Sequence, residues 1–173
     1  MSHQKKIIDS LNDILATEAT TIHRYFLQTV VLRHLGFPTL AECVEKALAG
    51  EMRHAQAVME RILFLGGKPE PRVSTAARMP ESILEMLEND RDQHRRHVKD
   101  LNLAITAAHR GRDQGTVCLL TRFVVEHEGH LAFDEAQIKL ARKVGEKEYL
   151  NALIKLSPEA LSPVTAAPGE LAR

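Results

Sequence analysis

The chain has 173 residues, enough for one domain with a substantial core. Its 23 basic and 23 acidic residues cancel and are spread along its length, which argues against a nucleic-acid patch or a membrane-surface stripe. Aromatic content is 4%, Trp is absent, and Cys43 and Cys118 lack the spacing of a disulfide framework or a thiolate zinc site. No stretch is apolar enough to span a bilayer, and the start Met1–Lys6 runs into an amphipathic segment rather than a signal peptide. A reducing cytoplasm is the expected compartment, with no nucleic acid or membrane as partner.

Apolar residues recur at helical spacing in four long segments, which makes the chain all-α. The first covers about residues 4–35, carries Ile7, Leu11, Ile14, Ile22 and Tyr25, and is broken by Gly36 and Pro38. Thr39-Leu40-Ala41-Glu42 reads as a capping box opening the second, which carries Val44, Leu48, Val58 and Ile62 and stops at Gly66-Gly67. Residues 67–80 hold three prolines and few apolar anchors, so they form a long connection. The third helix starts near Pro80-Glu81, carries Leu84, Leu87, Leu101 and Ile105, and ends at Gly111. Asp113 is the expected cap of the fourth, which carries Leu120, Phe123, Leu131 and Ile138 and stops at Gly145. A short fifth helix at about 146–156 closes the domain (1–156), and a Pro/Ala-rich tail follows (157–173).

Short links between helices one and two and between three and four make those pairs antiparallel. The long link between two and three is a crossover, the ferritin-like form of the four-helix bundle. Helices of about 30 residues reach roughly 45 Å, long for a monomer of this size, so an assembly is expected.

Polar residues interrupt the inward stripes at one level. The stripe of helix one includes Glu18; that of helix two includes Glu51, with His54 one turn on. Helix three reads 84, 87, 90, 94, 97/98, 101, which turns Asp90 and His94 inward; helix four turns His127 and His130 inward. Residues three apart share a helix face, so Glu51/His54 and His127/His130 each aim two side chains at the same place. An unpaired buried carboxylate costs several kcal/mol. One inward His is usually a satisfied core residue, but six such groups at one height point to a cation. Met52 lies about 100° round the helix from Glu51 and faces a neighbour or partner rather than the bundle axis.

From about residue 7 to 156 the chain resembles bacterioferritin. The resemblance is carried by Leu11-Asn12 through Glu18, Tyr25-Phe26-Leu27, Glu51-Met52-Arg53-His54-Ala55, Glu60 through Gly67, and Glu128-Gly129-His130. It implies a 24-subunit shell that stores iron as ferric mineral, and haem b at each two-fold interface on one methionine per subunit, here Met52. It also implies a di-iron ferroxidase centre of four glutamates and two histidines. Glu18, Glu51, His54 and His130 match that ligand set; His94 and His127 stand where the family has glutamate. Imidazole suits the terminal position of residue 94 but does not bridge two metals at position 127, which leaves Glu51 as the bridge.

The resemblance therefore implies Glu18 and His54 on one iron and His94 and His130 on the other. Asp90, Glu126 and Asp134 are candidate outer partners, and Lys46 and Gly50 offer no acidic path for incoming iron. Three functions stand open: a ferroxidase with a modified centre, a haem-bearing storage subunit co-assembled with a catalytic second subunit, and a bundle for a non-iron cation such as Zn(II), which favours imidazole.

Overall fold

The computed structural model describes residues 3–155. Four long helices, α1 (His3–His34), α2 (Pro38–Phe64), α3 (Ile83–Arg110) and α4 (Gln114–Val144), are followed by the short α5 (Glu146–Leu153). Helix α1 packs on α2, α3 packs on α4, α1 also meets α3, and α5 folds back on α4. The connection 65–82 between α2 and α3 is the crossover. It is tied down early by Asn12 of α1, whose side chain donates to the Lys68 carbonyl (3.2 Å) and accepts from the Glu70 N–H (2.8 Å). No described helix is long and apolar enough to cross a membrane.

The helix ends follow local chemistry, with three corrections to the sequence reading. The expected capping box at Thr39–Glu42 does not form. Pro38 takes the first turn, where its missing N–H costs nothing, and the N-cap is Phe37, which makes no side-chain cap bond. Thr39 is thereby already inside the helix. Helix α3 begins at Ile83 rather than 80–81, because Ser82 is the cap: its Oγ accepts from the Glu85 N–H at 3.0 Å. Glu85 reaches back to accept from the Glu81 N–H at 2.6 Å. Asp113 caps α4 as expected, accepting from the Thr116 N–H at 3.1 Å, and also pairs with Arg61 of α2. Gly145, at φ 87°, ends α4 in a conformation that side-chain-bearing residues seldom adopt. Helix α5 stops at Leu153, three residues short of the expected end, and the tail 157–173 lies outside the described residues.

The bundle has two apolar cores rather than one. Toward one end Tyr25, Leu32, Leu40, Val44, Met86, Leu87, Ile138 and Tyr149 pack together. Toward the other, Leu11, Leu15, Ala55, Val58, Ile62, Leu101, Leu120 and Phe123 form the second cluster. Each long helix passes from one cluster to the other, and in each the gap is filled by buried polar residues. They are Glu18 and Thr21 on α1, Glu51 and His54 on α2, Asp90, His94 and His97 on α3, and His127 and Asp134 on α4. Buried polar groups are costly unless paired, so a belt at mid-height on all four helices needs a shared partner set.

Candidate metal centre

Two overlapping groups of donor atoms lie within that belt. One atom from each of Glu18, Glu51, His54 and His127 lies within 4.8 Å of the others. A second set, Glu51, His94 and His130, meets the same limit. All six residues singled out by the sequence are thus together, and Glu51 belongs to both groups. The helical spacing explains the convergence: α2 supplies Glu51 and His54 one turn apart, α4 supplies His127 and His130 one turn apart, and α1 and α3 close the ring.

The hydrogen bonds show how each ligand candidate is held. His54 places Nδ1 3.3 Å from Glu51 Oε2 and Nε2 2.8 Å from Glu126 Oε2. Its ring stacks on Phe123 with centroids 4.1 Å apart. His94 sets Nδ1 2.8 Å from Asp134 Oδ2, and its Nε2 is 3.0 Å from the Tyr25 hydroxyl. With Nδ1–H donating to Asp134, the Nε2 lone pair accepts from the Tyr25 hydroxyl, a bond that a metal at Nε2 would displace. Both nitrogens of His127 are buried without a hydrogen-bond partner among the described residues, and its Nε2 is 3.8 Å from Glu51 and 3.9 Å from Glu18. A ring with two orphaned nitrogens beside two carboxylates is the arrangement a cation completes.

Of the three outer carboxylates, Glu126 and Asp134 hold ligand imidazoles. Asp90 does not: it accepts from Gln28 Nε2 at 3.3 Å and pairs with Arg24 at 3.4 Å. Lying one turn before His94, it is drawn to the cation and amide that α1 presents there.

One histidine in the belt was not singled out by the sequence reading. His97 is 2% exposed, and its Nε2 lies 3.0 Å from Glu18 Oε1. Its ring meets that of His127 edge-on at 4.5 Å. The signal was present in the α3 stripe, where positions 97 and 98 shared one place and periodicity could not choose between them. Tyr25 was read as a core residue, and its hydroxyl reaches His94 as well.

Electrostatics match a site awaiting a cation. Burial, the neighbouring Glu51 charge and their hydrogen bond push Glu18 well above the usual carboxylate range. Burial pushes Glu51 the same way, but its hydrogen bond with His54 and the nearby His127 outweigh it and leave Glu51 well below that range. One proton therefore serves two carboxylates, and a metal bound there would take its place. Burial lowers His127 well below 6.5, lowers His130, and takes His97 down to about 4. Neutral imidazole is the metal-binding form, so these rings need lose no proton on binding.

Met52 stands apart from this belt. It is 57% exposed on the outer side of α2, and Phe26 of α1 is 60% exposed.

The family model for the Ferritin-like domain matches residues 8–144, which include every belt residue. The Bacterioferritin of Streptomyces coelicolor is 30% identical over 171 residues, covering 99% of this chain and all of that protein. That of Mycobacterium avium is 31% identical over 149 residues, 86% of this chain and 94% of its own. Bacterioferritin BfrA of Mycobacterium tuberculosis is 30% identical over the same length and the same shares. With a crossover four-helix bundle and a ligand belt drawn from all four helices, this chain belongs to the ferritin-like family and is a bacterioferritin-type protein.

Proposed function

We propose that the chain is an iron-storage subunit that binds Fe(II) in its mid-bundle belt and oxidises it with O2. The observation that carries this reading is the sharing of Glu51 by two groups of potential ligands. Glu18, His54 and His127 would take one iron, His94 and His130 the other, with Glu51 between them. Each Fe(II) gives up one electron; O2 takes the two electrons and two protons and leaves as H2O2. The Fe(III) product then moves to the cavity of an assembled shell.

Two carboxylates face the +4 charge of two ferrous ions. A unit charge pair at 4 Å is worth about 4 kcal/mol at an effective dielectric near 20, so a carboxylate-poor centre holds Fe(III) less tightly than a four-glutamate one. Such a centre favours turnover of its product over retention. The donor set also suits imidazole-preferring cations such as Zn(II). A haem b bound through Met52 and the same residue of a second copy would supply a low-spin, electron-transferring iron. Met52 and the exposed Phe26 are the residues of this chain that support it.

A second reading is a haem-bearing storage subunit that does not oxidise iron itself and co-assembles with a catalytic subunit. It is favoured by the engagement of His94 with Tyr25 and Asp134 and of Glu18 with His97, contacts that a metal must share or displace. The two readings separate by Fe(II) oxidation in air with the metal-free assembly at about two irons per subunit, beside a His94→Glu/His127→Glu variant. Oxidation well above the buffer rate by the natural protein supports the ferroxidase. Oxidation at the buffer rate, restored in the variant, supports the co-assembling subunit.

A further inference from the structure

A second site lies on the other side of His97. The crossover roofs a cavity of about 320 Å³ between α1 and α3, whose walls include Arg24, Arg78, Arg96, His97, Thr17 and Thr20. The roof is fastened where Ser74 meets Thr20: the Ser74 N–H donates to Thr20 Oγ1 at 3.1 Å, and the two hydroxyls are also 3.1 Å apart. Three guanidinium groups face one lining carboxylate, Asp100. Arg24 spends part of its charge on Asp90 at 3.4 Å and donates to Gln93 Oε1 at 2.7 Å. Among the described residues Arg78 has only a distant Glu85, at 3.9 Å.

Two lining residues keep buried donors or acceptors with no partner among the described residues: Nε of Arg24 and Nδ1 of His97. Buried polar atoms in a folded protein are nearly always satisfied, so orphan atoms on two residues that line a basic cavity call for a ligand. The surplus of positive charge excludes a metal cation and selects an anion with several oxygens. Guanidinium forks suit a tetrahedral oxyanion. Hydrogenphosphate adds a P–OH group, so it satisfies His97 Nδ1 in either ring tautomer, by accepting or by donating.

We infer that the cavity beneath the crossover is a phosphate-binding site built from Arg24, Arg78, Arg96 and His97. The bound anion sits one imidazole away from Glu18, since the same His97 ring places Nε2 3.0 Å from that carboxylate. This inference stands on the cavity and does not depend on iron oxidation.

The test is calorimetric titration of the metal-free assembly with inorganic phosphate. Saturable binding is expected, weakened about tenfold in an Arg78→Gln/Arg96→Gln variant, because charge-assisted bonds to an oxyanion are lost. An Arg95→Gln/Arg142→Gln variant on the opposite, α3/α4 side should bind as the natural protein does. A parallel titration with glycerol phosphate distinguishes free phosphate from a phosphate ester, and saturable binding of either with the same variant pattern supports the site. Absence of saturable binding by both, or equal weakening in both double variants, overturns it. The changed arginines are exposed side chains, so each variant is expected to fold.

Discussion

Nε2 of His97 lies 3.0 Å from Oε1 of Glu18, so the carboxylate of α1 is already held by an imidazole of α3. Both residues are almost fully buried, at 2% and 1% exposure. A partner that orients a ligand in this way is worth roughly 10–100-fold in metal affinity. His97→Ala is therefore expected to weaken Co(II) binding by that order, while His97→Gln, whose amide still donates, keeps most of it. Competitive titration against a chromophoric chelator reads both. Equal affinity in the natural protein and His97→Ala would mean that the ring only fills space.

Glu51 is the only residue common to the two donor groups, which separates its role from that of the terminal candidates. Glu51→Gln should leave the assembly unable to bind either Co(II) firmly, whereas His130→Ala should leave one ion per subunit near Glu18, His54 and His127. Bound metal per subunit after desalting, by elemental analysis, discriminates the two. If both variants retain the natural stoichiometry, the belt is a polar core without a bridging carboxylate.

Acid sensitivity follows from the buried imidazoles. In the folded state His97 titrates near 4, and His127 and His130 are also lowered, so the unfolded chain takes up these protons first as pH falls through 6.5. Their contribution is complete above 6.5 and is lost as pH falls toward the folded values. His54, raised by its hydrogen bonds to Glu51 and Glu126 against the pull of burial, works in the opposite direction, as do Glu18 and Asp90, whose carboxyls burial raises, so the effect of His97 is read as a difference between variants. His97 alone accounts for about 2 kcal/mol between pH 7 and pH 5. The melting temperature of metal-free His97→Gln, relative to the natural protein, should therefore be higher at pH 5 than at pH 7, because the variant lacks the imidazole that the unfolded chain protonates first. An equal difference between His97→Gln and the natural protein at both pH values contradicts the buried-neutral state of this ring.

The architecture was legible because the information is periodic. Apolar spacing set four helices, Gly36, Gly66 and Gly145 marked stops, and three prolines in 67–80 announced the crossover. The polar interruptions of those stripes identified six of the belt residues by position alone. What escaped depended on geometry between helices. Whether 97 or 98 faces inward turns on small rotations of α3, and Asp90 goes to Arg24 rather than a ligand because α1 happens to place a guanidinium beside it. The capping box at Thr39 failed for a local reason, since Pro38 nucleates the first turn one residue earlier. The cavity under the crossover joins α1, α3 and a loop without regular structure, and no single-segment pattern encodes that.

Met52 offers the cleanest separation between binding and packing. Its side chain is more than half exposed in the single chain, so exchange for leucine should change the stability of the subunit by no more than about 0.5 kcal/mol. Leucine keeps the apolar volume and removes the sulfur, the atom that would ligate haem iron. Met52→Leu, produced with an ample haem supply, should therefore lack the Soret band while eluting at the same assembled size as the natural protein. The metal belt should be untouched, because Glu51 faces the bundle interior and Met52 faces away from it, so Co(II) stoichiometry is the internal control. Retention of the Soret band would assign the axial ligand to another residue. Loss of the assembly together with the haem would instead make Met52 a contact between copies, with its sulfur incidental to that role.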